Sequence, residues 1–250
     1  MKNIKIGLLA LCLAAAMAAA GNAAVLKAAE PENGAAEEQV SETEITEAGD
    51  SAMKEYSVVR VNGEIDWEAV PELSVDNVLW EPDYGIRAKG QFCYDEENLY
   101  VHLQAAEEDI KAEYTEPLSP VYKDSCLEFF FMPETEDRYM NFEINPNGCL
   151  YIGIGHGRQD HVMLCKDNMA EFFDIRTDRT ADGWEVFYRI PVDFLRAFFQ
   201  DYEFKGVLRA NVYKCGDGTR NKHYLSWNPV TSEKPDFHRP QDFGRMEFQG

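Results

Sequence analysis

Between residues 56 and 248 the chain is chopped into short runs rich in β-branched and aromatic residues. They are YSVVRV (56–61), IRAKGQFCY (86–94), LYVHLQAAE (99–107), SCLEFFFM (125–132), YMNFEIN (139–145), CLYIGIG (149–155), EFFDIRT (171–177), GWEVFYRI (183–190), GVLRANVYKC (206–215), HYLSW (223–227) and GRMEF (244–248). Turn chemistry separates several of them: DEEN at 95–98, NPNG at 145–148, ADG at 181–183 and GDGTRN at 216–221. Such spacing predicts an all-β fold, an antiparallel β-sandwich of two packed sheets with one or two short helices. One helix is expected at PVDFLRAFF (191–199), where Pro191 suits a first helical position and Phe194, Leu195, Phe198 and Phe199 share a face. A short helical turn is expected around DWEAV (66–70). No fixed-period repeat is present, which argues against solenoids and propellers.

Strand parity then separates two kinds of surface, because successive side chains point to opposite faces. Leu127, Phe129 and Phe131 face one way, while Tyr122, Asp124, Cys126 and Glu128 face the other. Met140, Phe142 and Ile144 oppose Tyr139, Asn141, Glu143 and Asn145; Leu208, Ala210 and Val212 oppose Arg209, Asn211 and Tyr213. Three strands therefore share an apolar core face and a face of carboxylates, amides, an arginine and phenols, and the second face is the candidate site. It could be a solvated surface with ion pairs such as Glu128 or Glu143 with Arg209. It could equally be a sugar cleft, since hydroxyls need planar donors and acceptors and C–H faces stack on aromatic rings. The loop NPVTSEKPDFHRPQDFG (228–244) adds Phe237, His238, Arg239 and Phe243 in a stretch that its prolines keep out of helix and central strand.

The ends of the chain read differently. Residues 1–24 have the form of a signal peptide: Lys2 and Lys5, the apolar run IGLLALCLAAAMAAA, then small residues near Ala20 and Ala24. The run is shorter than a spanning helix requires, so cleavage is expected, with lipidation at Cys12 disfavoured by Leu11 before it. Residues 25–55 are rich in Ala, Glu, Ser and Thr with no aromatic residue, and are expected to be a disordered acidic linker to a folded domain at 56–250. The protein is thus expected to be secreted or at the cell surface.

A formal net charge of -21 disfavours nucleic acid and anionic lipid as partners. Beyond Cys12 the cysteines are Cys93, Cys126, Cys149, Cys165 and Cys215, an odd set without a CxxC pair, which fits neither a zinc ribbon nor a complete disulfide framework. The histidines of HGRQDH (156–161) are expected to be solvent-exposed loop residues, and no metal site is assigned to them. No cofactor is expected; loop oxygens near YDEEN (94–98) leave room for calcium, although no twelve-residue Asp-rich loop is present. A nucleophile elbow, HExxH and a phosphate loop are absent, and carboxylates are too common here for any pair to signal a glycosidase.

The motifs YKDSCLEFFFMPE, YMNFEINPNGCLY, GWEVFYRIPVDFL, GVLRANVYKCGD and LSWNPV…PDFHRPQDFGRMEF, in that order from about residue 60 to 248, resemble the family 9 carbohydrate-binding modules and their DOMON-type sandwich relatives. The resemblance implies a non-catalytic domain that grips a sugar between two aromatic rings. It places one ring at Tyr122, ahead of Asp124, Ser125 and Glu128, and the other at Phe237, ahead of Pro240 and Phe243-Gly244. Glu128 matches the ligand-binding glutamate, Trp227 matches a core Trp, both clamp tryptophans are replaced by smaller rings, and Glu143 stands where a basic residue can occur. Trp80 is a third candidate platform, with core filler the expected role. The resulting site is Tyr122, Glu128, Asn141, Glu143, Arg209, Asn211, Phe237 and His238, with a poly- or oligosaccharide as partner. The rivals are a glycoside hydrolase or its accessory module, and a ligand-free interaction or cofactor-binding sandwich.

Overall fold

The computed structural model describes residues 53–165 and 167–250. The expected signal peptide, and the expected linker through residue 52, lie outside the described residues. In chain order the strands are β1 (Glu55–Arg60), β2 (Glu72–Val75), β3 (Asn77–Val78), β4 (Arg87–Tyr94), β5 (Asn98–Ala106), β6 (Cys126–Pro133) and β7 (Tyr139–Ile144). There follow β8 (Leu150–Gly157), β9 (Asp160–Met163), β10 (Arg176–Arg179), β11 (Gly183–Pro191), β12 (Val207–Gly216), β13 (His223–Ser226) and β14 (Gly244–Phe248). Two short helices, α1 (Met169–Phe172) and α2 (Val192–Arg196), complete the described elements together with two 3-10 turns, Val121–Lys123 and Pro240–Asp242.

The strands form two layers. The first sheet runs β9-β8-β7-β6-β12-β14-β1, with β13 on β12 and β3 on β13; the second runs β10-β11-β5-β4-β1, with β2 on β4. β1 belongs to both: Glu55 to Val58 pair with β14, and Val59 and Arg60 with β4. Both of its pairings are parallel, so the sandwich is mixed, whereas the other strand pairs are antiparallel as the hairpin spacing implied. Between the layers lies one core in which Phe92 of β4 meets Phe129 of β6 at 4.8 Å and Phe142 of β7 stacks on Tyr188 of β11 at 5.8 Å. The inward residues of β6, β7 and β12 are those that parity assigned, and all are buried.

A polar bolt joins the layers. Glu107, just after β5, accepts Lys214 Nζ of β12 at 3.0 Å, Trp184 Nε1 of β11 at 2.7 Å and Ser125 Oγ at 3.0 Å. Lys214 is fully buried and also donates to His223 Nε2 at 2.9 Å and to the Cys215 carbonyl at 3.1 Å, so every buried charge here has a partner. Burial alone would raise the Glu107 carboxyl, but Lys214 and the Trp184 hydrogen bond outweigh it and hold it below its ordinary value.

Local departures from the expected elements have physical causes. EFFDIRT is a strand only from Arg176; Glu171 and Phe172 lie in α1, which lets Met169 and Phe173, four residues apart, both reach the core. Pro191 precedes α2 in extended conformation, Val192 and Leu195 are its buried residues, and Phe199 is buried in the turn that follows the helix. Residues 66–70 close two i to i+3 hydrogen bonds but no helix. The NPNG turn works as read: Asn145 Oδ1 accepts the Asn147 and Cys149 amides, and Gly148 takes φ of 72° where a Cβ would be strained. Strands β2, β3 and β9 escape a pattern-based reading because they are short edge or partner strands. Among the described residues no helix is long and apolar enough to cross a membrane.

Replacing Lys214 by Met strands Glu107 in the interior, and urea denaturation is expected to show a loss of about 3–5 kcal/mol.

Candidate functional site

A cavity of about 310 Å³ opens on the outer face of the first sheet. This size is at the lower end of small-molecule pockets. Its floor comes from outward positions of β6, β7 and β12. Glu128 sits directly opposite Glu143 across β6 and β7, and opposite Tyr213 across β6 and β12, while Cys126 faces Cys215. Glu128 and Glu143 are only 2 % and 4 % exposed, so this face is not a solvated surface. Neither pairs with Arg209; the ion pairs considered from sequence do not form among the described residues.

Aromatic rings reach the cavity from separate segments of the chain. Tyr122 lies in the 3-10 turn Val121–Lys123, not on the strand that parity assumed, and is 38 % exposed at the cavity edge. Phe237 also lines the cavity, buried, with one ring face covered by Tyr213 at 4.0 Å and 11°. Trp80 stands beside it: its ring lies 5.5 Å from Phe237, and its Nε1 donates to the Ser232 carbonyl at 2.7 Å. Trp80 thus lines the cavity and is not simple core filler. Trp227 is in the core as expected.

The remaining candidate residues divide. His238 lines the cavity, with Nδ1 2.6 Å from the Tyr139 hydroxyl; burial, then Arg158, push its pKa down to about 4. Asn141 lies beneath the floor, donating to Glu143 Oε1 at 2.8 Å and accepting His161 Nε2 at 2.7 Å, so it orients both. Arg209 and Asn211 do not reach the cavity. Arg209 donates to the Phe243 carbonyl at 2.9 Å. Asn211 accepts the Asn228 amide at 2.9 Å and donates to the Asn228 carbonyl at 2.9 Å, fastening both ends of the loop that carries Phe237 together with Asp242. The loop folds down over their strand, so Asn211 is taken up by its backbone groups, while Arg209 makes the one bond to Phe243 and keeps a buried Nε without a partner.

HGRQDH also divides. His156 is exposed beside Asp160, as expected, but His161 sits on β9 and lines the cavity. Its ring occupies the space over Gly153 of β8, where a Cβ would fall 2.0 Å from the imidazole. Arg158, from the same hairpin, reaches the rim and pairs with Asp236 at 3.0 Å. Tyr151, opposite Glu143 on β8, could have been found by extending the parity argument one strand further. Arg158, Asp217 and Asp236 could not, since loop geometry alone brings them to the rim, and His161 depends on the pairing of the short edge strand β9 with β8.

Electrostatically the floor is unusual. Burial, then the neighbouring Glu143, push the Glu128 carboxyl well above its ordinary value; burial pushes Glu143 up to about 7 despite Asn141 and Arg158. Burial likewise raises the thiols of Cys126 and Cys215. Among the described residues no group of three or more His, Cys, Asp and Glu is placed to hold a metal ion. Near YDEEN the Asp95 carboxylate is already taken, by the Glu97 and Asn98 amides and the Tyr100 hydroxyl.

Comparison with known proteins follows the same outline. The family model described as Carbohydrate-binding family 9 matches residues 60–248. Among solved structures, a Bacteroides uniformis protein proposed to bind carbohydrate superposes with a TM-score of 0.68 at 26% identity, covering 79% of this chain and 100% of that one. A family 9 carbohydrate-binding module from Caldicellulosiruptor kristjanssonii, in complex with glucose, gives 0.55 at 16% identity, covering 79% of this chain and 96% of that one. The same module with cellotriose gives 0.55 at 15% identity, covering 79% and 94%. Among curated proteins no relative matches the chain.

Two measurements check the site. Because Glu143 takes up its proton more readily folded than unfolded, its contribution is fully present below about pH 4.5 and is lost as pH rises toward 7. Glu143→Gln is therefore expected to gain stability over wild type across that window, by on the order of 2–3 kcal/mol at its top, read by denaturation at several pH values. In peptide-mapped alkylation of the native protein, Cys165 is expected to react quickly, whereas buried Cys93, Cys126, Cys149 and Cys215 react only on unfolding.

Proposed function

The chain belongs to carbohydrate-binding family 9, a family of non-catalytic modules, and we propose that it is an exported protein that holds a saccharide in the cavity on its first sheet. Tyr122 stacks on one face of a sugar ring, Phe237 and Trp80 form the opposite wall, and Glu128, Glu143 and His238 meet the hydroxyls, with Asn141 holding Glu143 in place. The observation that carries this reading is the convergence of the Tyr122, Trp80 and Phe237 rings and two buried carboxyls on one cavity of about 310 Å³. Carbohydrate needs that combination, since apolar C–H faces alternate with hydroxyls demanding fixed partners. The glucose and cellotriose complexes of the Caldicellulosiruptor module support a glucan-type poly- or oligosaccharide as the ligand class.

The glycosidase reading has no support in a non-catalytic family. Export is supported by the basic, apolar and small-residue order of residues 1–24 and by the acidic segment that follows, which together suit a domain carried outside the cell on a tether.

Calorimetry with a panel of mono- and oligosaccharides tests the assignment. Tyr122→Ala is expected to weaken binding at least about tenfold, as for an aromatic anchor worth more than about 1 kcal/mol. Phe237→Ala is expected to do the same with an added loss of stability from its packing on Tyr213, whereas Arg209→Ala leaves affinity in place. Equal affinity in wild type, Tyr122→Ala and Phe237→Ala removes the assignment.

A further inference from the structure

The floor of the cavity is short of positive charge. Glu128 and Glu143 lie side by side in register on adjacent strands, each more than nine-tenths buried, and both line the cavity. Among the described residues no N–H or O–H group donates to the Glu128 carboxyl, and the flanking thiols of Cys126 and Cys215 donate to the Leu127 carbonyl at 3.9 Å and the Tyr122 carbonyl at 3.3 Å. Glu143 receives the Asn141 amide on Oε1, and no donor is recorded at Oε2.

No cation forms an ion pair with either of them among the described residues, although Arg158 at the rim draws Glu143 down in part. Arg158 is held by Asp236 at 3.0 Å, and Lys222 by Asp217 at 3.3 Å. Lys214, although on β12, points between the sheets and is bound by Glu107 at 3.0 Å. The imidazoles of His161 and His238 are pushed down by burial, and the phenols of Tyr139, Tyr151 and Tyr213 are pushed up, so these groups face the floor uncharged at neutral pH. Tyr122, at the rim, adds no charge. Two adjacent buried carboxyls cannot both ionise cheaply, and an empty floor relieves the repulsion by keeping a proton.

We propose that this cavity prefers a hexosamine with a free, protonated amine over the corresponding neutral hexose, the ammonium group seated between Glu128 and Glu143. The inference rests on the saccharide reading above and refines its ligand class. An ammonium offers three N–H donors and no acceptor, which matches a floor made of acceptors. It supplies the missing charge in a site shielded from water, where charge-assisted hydrogen bonds are strongest. A neutral hexose can donate its hydroxyls to these acceptors but brings no charge, so the pair must keep its proton or bear the repulsion of two carboxylates. N-acetylation removes the charge and adds bulk, so the acetylated sugar loses the advantage. Seating the cation also expels the carboxyl proton, which couples binding to proton release.

Calorimetry on the full chain with glucosamine, glucose and N-acetylglucosamine, and with the β-1,4-linked disaccharide of each, tests this at pH 7 and pH 5. The expected result at pH 7 is tighter binding of the free-amine sugar than of its neutral counterpart by about tenfold or more, the scale of one charge-assisted hydrogen bond. The preference is expected to shrink at pH 5, where both carboxyls hold protons. Binding enthalpies in buffers of different ionisation heat are expected to reveal proton release for the amine sugar alone. Glu143→Gln, isosteric and stabilising in the free protein at pH 7, is expected to reduce the preference to less than about twofold, since one neutral acceptor replaces a charge. Equal or tighter binding of glucose by wild type, or an undiminished preference in Glu143→Gln, overturns the inference and leaves the saccharide reading standing. Failure of every sugar to bind overturns both.

Discussion

Strands β6, β7 and β12 are buried on both faces, and the rest of the molecule is arranged around that constraint. Their inward side chains, Phe129, Phe131, Phe142 and Val212 among them, fill the space between the sheets. Their outward side chains meet a second, smaller cluster in which Phe130, Tyr139, Tyr213, Phe237 and Phe243 pack beneath the loop at 228–243. A sheet covered twice cannot give its outer polar groups to bulk water. Each must be hydrogen-bonded within the protein, or be left facing whatever enters the cavity.

The two buried acidic clusters show both solutions. Glu107 is taken up completely by Lys214, Trp184 and Ser125, and it joins the sheets without offering anything to solvent. Glu128 and Glu143 are buried to a similar degree, yet Lys214, Arg158 and Lys222 are all committed elsewhere. The first arrangement stabilises the fold. The second costs stability and is the signature of a site, because a group held at a loss in the free protein gains when a ligand supplies its partner.

The loop that carries Phe237 is fixed by groups that bind no ligand. Asn211 holds Asn228, and Asp242 receives the Thr231 amide and hydroxyl and the Arg239 guanidinium at 2.7 Å. Phe237 therefore rests on Tyr213 as part of a prepared wall, and Trp80 is tied into it through Ser232. Such anchoring reduces the entropy lost when a ligand binds. Only Tyr122, exposed on its short turn, has a ring that is free of this packing.

The sequence by itself determined most of the strand content, the two faces of β6, β7 and β12 with Glu128 and Glu143 on the outer one, and the helix after Pro191, because alternation and turn residues act over a few positions; Tyr122 and Phe237 joined that set through the family resemblance. It could not determine that β1 would pair in parallel with strands from both sheets, or that EFFDIRT would begin as a helix; those outcomes depend on partners far along the chain. The same holds within the site. Arg209 and Asn211 share parity with the floor residues, yet the loop folds over them and binds them through its backbone, while Trp80 and Arg158 arrive at the rim from turns and His161 from the edge strand β9. Parity fixes which face a side chain takes. Only tertiary packing decides whether that face opens onto a cavity or lies under another piece of backbone, since that depends on where a separate segment finds its own partners.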